Sequence, residues 1–172
     1  MSELIWRTLA SKRDCRYLQS FSCTTPRLTV DGSVRRAPHP RPWELEAQSM
    51  IRRLSESKAA RDVVFVAERP DGTPVAVAHI SPSNDGRVAA VHLNVIAVGW
   101  SDRGLGLADR VLDRVRAESV AYATAECLPL ELISATIHTS NQASIHMAQR
   151  NGFEPTGSPV GHYQTWIWVP AR

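Results

Sequence analysis

Residues 93–115, LNVIAVGWSDRGLGLADRVLDRV, constrain the fold of this chain more than any other segment. An apolar, β-branched run is followed by a glycine-rich turn at residues 103–108. The next positions place Val111, Leu112 and Val115 on one stripe, which is the spacing of a buried helical face. Glycines let a ligand approach the backbone closely, and the free N–H groups of a first helical turn point at an anion. The segment therefore predicts a phosphate-binding strand, turn and helix.

Two well-known phosphate loops do not fit this turn. A P-loop requires Lys and then Ser or Thr after its last glycine, whereas Gly106 is followed by Leu107 and Ala108. A dinucleotide-binding loop requires a third glycine, and Asp109 occupies that position. The turn also follows four strands that look antiparallel, which is not the order of a dinucleotide-binding βαβ unit.

The remaining hydrophobic pattern predicts a mixed α/β (α+β) domain that spans residues 1–172, with helices on both faces of the sheet. A short helix over 11–21, with Ser11 as its N-cap, and a loop over 24–42 precede a clear helix that begins at Pro42. Two further helices are expected at about 104–123 and 141–151. Strands are expected at 3–9, 62–68, 74–80, 87–98, 128–138, 153–157 and 162–169, with turns at 69–73, 81–86 and around 158–159.

Composition limits the classes of protein that this chain can be. Its 172 residues, 43% of them hydrophobic, suffice for one compact core, and no apolar run is long enough to span a membrane. The three scattered cysteines predict neither a disulfide framework nor a zinc site, and with no secretory pattern at the start they favour a cytoplasmic location. The formal net charge of +3 is modest, so we do not expect a nucleic-acid partner.

Two sequence blocks resemble the GCN5-related N-acetyltransferase (GNAT) family. Residues 96–108 resemble its signature, L-x-V, a short turn and then Q/R-x-x-G-x-G/A, with Arg103, Gly106 and Ala108 at the defined positions. Residues 141–153, NQASIHMAQRNGF, are similar to the family's N-x-x-A-x-x-L-Y-x-K-x-G-F. The resemblance covers about residues 62–169. It implies the GNAT fold, in which a central, mostly antiparallel sheet is splayed at an acetyl-CoA cleft between the strands predicted at 87–98 and 128–138.

The resemblance implies acetyl-CoA as cosubstrate, and the chemistry of the turn agrees with that ligand. The pyrophosphate suits amides at a helix N-terminus, here those of Gly104, Leu105, Gly106, Leu107 and Ala108, with Arg103 beside them. The pantetheine arm can pair like an added strand with an open edge formed by Ile96, Ala97 and Val98. By resemblance Asn141 bonds the same arm, with Ser144 nearby, although Asn141 also suits the N-cap of the following helix. We expect no metal.

His92 is the candidate general base. On a regularly alternating strand His92, Asn94, Ile96 and Val98 share one face, which would line the cleft. His92 also precedes Arg103 by eleven residues, which resembles the position of the catalytic glutamate in family members that act on protein lysine. Histidine titrates near neutral pH, as a general base should. A histidine with a purely structural role at the core or rim is the alternative.

The general acid is less evident, because Ala148 stands where most family members carry a tyrosine that protonates the departing thiolate. Ser144 or water is the expected substitute. A thiolate is a tolerable leaving group, since thiols ionise near pKa ~8.5.

The sequence thus predicts an N-acetyltransferase that moves an acetyl group to a primary amine by direct attack in a ternary complex. The acceptor is left open between a small molecule, a protein amine and an aminoacyl-tRNA, the last because residues 21–24 faintly resemble GNAT toxins that acetylate charged tRNA. A non-catalytic acyl-CoA-binding or regulatory module is the alternative that Ala148 suggests. Trp166 and Trp168 on the last strand leave two interpretations open, a homodimer edge or a core face.

Overall fold

The computed structural model describes residues 4–24 and 40–171. Within those ranges the chain forms seven strands and three α-helices, together with two short 3₁₀ segments at Asp14–Ser20 and Trp100–Asp102. The helices are α1 (Pro42–Ser57), α2 (Leu107–Ala125) and α3 (Gln142–Arg150). The strands are β1 (Ile5–Leu9), β2 (Val63–Glu68), β3 (Pro74–Asn84), β4 (Ala89–Val98), β5 (Leu130–His138), β6 (Glu154–Val160) and β7 (Tyr163–Trp168).

The strands form one mixed sheet in the order β1-β2-β3-β4-β5-β7-β6. Only β4 and β5 run parallel, and every other neighbouring pair is antiparallel. A parallel pair needs a crossover, which α2 supplies between β4 and β5. The predicted mostly antiparallel sheet with helices on both faces is confirmed.

Each face of the sheet has its own core. On one face α2 buries the predicted stripe, with Val111, Leu112 and Val115 each no more than 1% exposed, and α3 adds Met147. On the other face α1 and the first 3₁₀ segment pack on the N-terminal strands, and the side chains there that are no more than 1% exposed are Leu9, Cys15, Leu18, Ile51, Leu54, Val64, Val66 and Val77. Burying a side chain of this size stabilises the fold by roughly 1.5–3 kcal/mol.

Strands β4 and β5 separate partway along their length. Their pairing runs from Ala89 opposite Leu130 to Leu93 opposite Ala135, and it stops there. Beyond that point β4 continues to Val98 beside β3 alone, so its other backbone edge is open. The splay predicted between these two strands is confirmed.

A β-bulge lies where the strands separate. His79 of β3 is opposite Val95 and Ile80 is opposite Leu93, so Asn94 is an extra residue on β4. The bulge reverses the facing of β4, because Leu93 belongs to the α2-side core whereas Val95 belongs to the α1-side core.

This reversal corrects one premise of the sequence analysis. Ile96 and Val98 pack toward the α2 side. His92 lies on the α1 side, because its neighbours Val91 and Leu93 face α2. The prediction that His92 shares a face with Ile96 and Val98 is therefore wrong, since strict alternation does not continue through a bulge.

Element boundaries also differ in three places. Strand β3 continues to Asn84, through part of the predicted turn, because it pairs with β4 as far as Ala89. The last hairpin turns at Gly161 rather than around residues 158–159, which lie within β6. The predicted helix over 11–21 is a 3₁₀ segment whose N-cap is Arg13, so the prediction of Ser11 as its N-cap is wrong, although the Ser11 hydroxyl oxygen accepts from the Asp14 N–H at 3.2 Å.

The predictions for the last strand and for the loop over 24–42 have different outcomes. Strand β7 lies between β5 and β6, so the dimer-edge interpretation of this strand is wrong. Trp166 is 4% exposed in the α2-side core, which confirms the core-face interpretation for that residue. The loop predicted over 24–42 falls mostly at residues 25–39, which lie outside the described residues.

The α2 stripe gives a direct stability test. Leu112→Ala should lower the free energy of unfolding by about 2–5 kcal/mol, because it removes buried methyl groups and leaves a cavity beside the sheet. Val120→Ala on the same helix, where the side chain is 48% exposed, is the matched control and should change it by less than about 1 kcal/mol. Urea denaturation measures both, and equal losses would contradict the assigned burial.

Candidate active site

A cavity of about 860 Å³ lies against the end of β4 that β5 leaves unpaired, at residues 96–98. The glycine turn, the N-terminal end of α3 and the start of α1 complete its walls. Of the residues that the sequence assigned to CoA, ten line it, namely Ile96, Ala97, Val98, Arg103, Gly104, Gly106, Leu107, Ala108, Asn141 and Ser144. Leu105 is absent from the lining and is 61% exposed. The structure therefore brings the two separated sequence blocks to one cavity.

The glycine turn has the backbone conformation that its sequence requires. Gly104 and Gly106 have φ values of +79° and +70°, in the left-handed region that disfavours other residues. Gly106 is the N-cap of α2, so the first amides of the helix have no intrahelical acceptor. Apart from each glycine's own chain neighbours, no atom of residues 4–24 and 40–171 lies within 4 Å of the Cβ that either glycine lacks, which leaves room for a ligand against the backbone.

Charges beside the turn are paired. Arg150 forms a two-pronged hydrogen bond with Asp109 in the first turn of α2, at 2.9 and 2.8 Å. Hydrogen bonding to Arg150 lowers the pKa of Asp109, so that carboxylate is ionised and compensated. An uncompensated negative charge at this place would repel a phosphate.

Arg103 is held by protein groups rather than extended into the cavity. Its Nη1 donates to Glu44 of α1 at 2.8 Å, and its guanidinium lies 4.5 Å from the centre of the Trp100 ring. Glu44 is 5% exposed and also pairs with Arg41 at 3.1 Å. The Arg103 side chain thus ties the glycine turn to the start of α1.

Asn141 and Ser144 form a reciprocal cap at the start of α3. The Ser144 N–H donates to Asn141 Oδ1 at 3.3 Å, and Asn141 Nδ2 donates to the Ser144 hydroxyl oxygen at 2.8 Å. The N-cap interpretation of Asn141 is confirmed. Because the Ser144 oxygen accepts this bond, its own hydroxyl proton can be directed into the cavity.

Ala148 is 2% exposed and belongs to the α2-side core. Of its neighbours on α3, Ser144 and Met147 line the cavity and Ala148 does not. Position 148 therefore supplies no general acid to the cavity.

His92 lies one residue before the last paired position of β4 and β5. It is opposite Ser134 on β5, and its Nδ1 is 2.9 Å from the Ser134 hydroxyl oxygen. Burial, with a smaller contribution from the charge of nearby His79, lowers its pKa below the ordinary value of 6.5. His92 is thus neutral at neutral pH. It does not line the cavity and lies at the base of the splay, on the α1 side.

A polar chain on the α1 side was not predicted from the sequence. Asn94 Nδ2 donates to the Ser81 hydroxyl oxygen at 2.7 Å, and the Ser81 hydroxyl donates to Asp62 Oδ1 at 2.8 Å. His79 Nε2 is 3.0 Å from Asp62 Oδ2, an ion-pair distance without the direction of a hydrogen bond. No motif joins residues so far apart along the chain, and only the strand register brings them together.

A ring cluster joins α1 to the far side of the splay. The rings of Trp43 and His138 are 4.9 Å apart, and Tyr163 packs edge-on against His138 at 5.3 Å. The Tyr163 hydroxyl donates to Glu46 of α1. Burial, followed by this hydrogen bond, raises the pKa of Tyr163 to about 12, so it is a poor source of a phenolate base.

Across residues 4–24 and 40–171, no group of three or more His, Cys, Asp or Glu side chains is arranged to hold a metal ion. The helices in the same ranges include none that is long and apolar enough to cross a membrane.

Known proteins share this sequence pattern and architecture. A sequence model of the Acetyltransferase (GNAT) domain matches residues 8–154. Comparison with curated protein sequences finds no match.

Among solved structures, the chain is similar to PaiA N-acetyltransferase from Thermoplasma acidophilum in complex with coenzyme A, at 13% identity and a TM-score of 0.67 over 98% of this chain and 99% of that one. It is similar to a structure described as a bacterial toxin, at 10% identity and 0.71 over 98% and 92%. A variant of the spermidine N-acetyltransferase SpeG from Vibrio cholerae aligns at 15% identity and 0.59 over 96% and 93%. The TM-scores show a shared fold. Together with the matched domain, they show that this chain belongs to the GNAT acetyltransferase family.

Proposed function

We propose that this chain is an acetyl-CoA-dependent N-acetyltransferase that acetylates a primary amine by direct attack in a ternary complex. The observation that carries this proposal is the single cavity that joins an anion-binding helix N-terminus to the unpaired backbone edge of β4. One end suits a pyrophosphate and the other suits an extended amide chain. CoA carries both groups in that order.

Each CoA group has proposed partners. The pyrophosphate lies on the amides of the turn from Gly104 to Ala108, where partial positive charge and close backbone approach favour it. The pantetheine arm pairs with the backbone of residues 96–98, which β5 leaves unpaired. Asn141 and Ser144 line the opposite wall. The Arg103 side chain contributes indirectly, by fixing the turn against α1.

The acceptor approaches from the α1 side, where His92 lies. An ammonium has no lone pair, so the acceptor reacts as the neutral amine, and its nitrogen becomes acidic as the C–N bond forms. In the tautomer that donates its Nδ1–H to Ser134, neutral His92 presents a lone pair on Nε2 that takes this proton. Backbone N–H groups near residues 93–96 stabilise the oxyanion.

The C–S bond then breaks, and the CoA thiolate leaves. Water protonates the thiolate, with the Ser144 hydroxyl as the alternative donor, and His92 returns its proton to solvent. The buried position of Ala148 is consistent with a reaction that needs no tyrosine acid, since the thiolate is a stable leaving group.

The same buried Ala148 motivates one competing function, an acyl-CoA-binding module without turnover. A panel of spermidine, phenethylamine, a lysine-containing peptide and an aminoacyl-tRNA separates the two, with release of free CoA thiol as the readout. Aminoacyl-tRNA stays in the panel, because the toxin-like acceptor remains a proposal. Two of the four residues that suggested it, Phe21 and Cys23, are buried and bond Gln48 through their backbones, and Cys23 also lines the cavity. Tight acetyl-CoA binding without thiol release for any amine would favour the binding module.

Gly106→Glu tests the pyrophosphate site. The side chain strains a left-handed position and brings a negative charge to the phosphate, so acetyl-CoA affinity should fall by at least about tenfold, or 1.4 kcal/mol. Gly86→Glu is the matched control, because Gly86 has a φ of +85° in the β3–β4 turn and is not part of the cavity lining. Isothermal titration calorimetry measures both. Equal affinities for the two variants would place the pyrophosphate elsewhere.

His92→Ala tests the general base and should lower kcat about 10²–10⁴-fold at pH 8. Only neutral His92 accepts a proton, and its pKa is below 6.5. The ratio of the wild-type kcat to the variant kcat should therefore decrease as pH falls below 6.5. Taking the ratio of the two rates cancels the ionisation of the amine itself. His162→Ala, at an exposed histidine outside the cavity lining, is the control and should retain kcat. A loss of less than about tenfold across pH 6–9 would exclude His92 as the base.

A further inference from the structure

Asn94 lies on β4 at the point where this strand separates from β5. It is the extra residue of the β4 bulge, with no partner on β3, and pairing with β5 ends one residue before it. Its side chain lies on the α1 side, where it reaches Ser81. His92 is opposite the same Ser81 in the strand register. Asn94 and His92 therefore flank the point at which the strands part.

The hydrogen bonds that join Asn94, Ser81 and Asp62 can run in one direction only, from Asn94 as the first donor to Asp62 as the last acceptor. Burial alone would raise the pKa of Asp62, but hydrogen bonds from the Ala59 N–H at 2.8 Å and from Ser81, together with nearby His79, outweigh it, and the pKa lies below its ordinary 3.8. Asp62 is therefore an ionised carboxylate that only accepts. The single Ser81 proton goes to Asp62, at 2.8 Å, and the Ser81 oxygen can then only accept from Asn94.

This direction fixes the orientation of the Asn94 amide. Nδ2 must face Ser81, at 2.7 Å, so Oδ1 faces away from it. Within residues 4–24 and 40–171 no hydrogen bond to Asn94 Oδ1 is formed, and this oxygen is not among the buried atoms that lack a partner. An oriented acceptor oxygen is thus available to a ligand beside His92.

We propose that Asn94 Oδ1 binds the acceptor amine, accepting one of its two N–H groups while His92 faces the other, and that Ser81 and Asp62 are positioning residues for Asn94. This inference rests on the proposed function. A neutral primary amine has four tetrahedral directions at nitrogen. One N–H points to Asn94, the second points to His92 and is removed as the C–N bond forms, the lone pair meets the thioester carbon, and the carbon substituent extends outward.

The proposed arrangement of Asn94 and His92 favours a primary amine as the acceptor. An N-methyl secondary amine has a single N–H, so it satisfies either Asn94 or His92 but not both, and its methyl group occupies the remaining direction. The site should therefore prefer a primary amine over its N-methyl derivative. Because Ser81 and Asp62 orient the amide, the same preference should depend on the Ser81 hydroxyl and on the Asp62 charge.

The test compares kcat/KM for the fastest-reacting amine of the panel above and for its N-methyl derivative. Asn94→Leu keeps the size of the side chain and removes the acceptor oxygen. It should lower kcat/KM for the primary amine roughly 5- to 20-fold and reduce the primary-to-methyl ratio, because the N-methyl substrate loses less. The KM for acetyl-CoA should stay within about twofold.

Variants of the polar chain separate positioning from simple structural support. Ser81→Ala and Asp62→Asn should each reduce the same ratio, since either change frees the amide of Asn94 to turn. Ser81→Thr retains the hydroxyl and should restore the ratio to near the wild-type value. Ser83→Ala on the same strand, whose hydroxyl donates to the Ala90 carbonyl oxygen at 3.4 Å, is the matched control. A variant that is merely destabilised changes both rates together and leaves the ratio intact.

The outcomes are distinguishable. A reduced ratio in Asn94→Leu and Ser81→Ala, restored in Ser81→Thr, supports the inference. An unchanged ratio in Asn94→Leu and Ser81→Ala, with an active wild-type chain, overturns it and leaves the proposed function standing. Absence of transfer to every amine by the wild-type chain overturns the proposed function and this inference with it.

Discussion

The parting of β4 from β5 is the constraint on which the rest of the site depends. Parallel pairing stops at Leu93 and Ala135, and the Asn94 bulge begins at the next residue. The bulge turns the second half of β4 over, so the strand contributes Leu93 to one core and Val95 to the other. An open backbone edge in the middle of a sheet would normally be a liability. Here it forms a wall of the cavity, in the place where an extended acyl carrier can complete the sheet.

Helix α1 contacts both the glycine turn that follows β4 and the end of β5, which the splay separates. Its first turn is bound to the glycine turn through Glu44 and Arg103, and Trp43 contacts His138 at the end of β5. The hydrophobic residues farther along the helix, Ile51 and Leu54, pack on the N-terminal strands. The cavity is thus held open by contacts on both of its sides. In the proposed reaction CoA occupies the open edge, the amine approaches from the α1 side, and the thioester meets it at the bulge.

The sequence predicted the features that local chemistry determines. Glycines at 104 and 106 predicted close approach of a ligand to the backbone, which their left-handed conformation and open surroundings allow, and Asn141 before a helical pattern predicted a helix cap. The bulge could not be predicted, because Val91, Leu93, Val95 and Ala97 alternate without interruption although they serve two different cores. When helices cover both faces of a sheet, an apolar residue suits either face, and the pattern carries no record of the reversal. The Asp62–Ser81–Asn94 chain and the ring cluster depend on strand register, which residue spacing does not reveal.

The most direct test of this account is a crystal structure of the chain with bound acetyl-CoA. The account predicts pantetheine amides paired with the backbone of residues 96–98, the pyrophosphate on the amides that follow Gly104, and the thioester carbonyl carbon beside Asn94 and His92. Acetyl-CoA bound outside this cleft would contradict it. So would a complex in which β4 and β5 pair along their full lengths and the thioester lies away from the bulge.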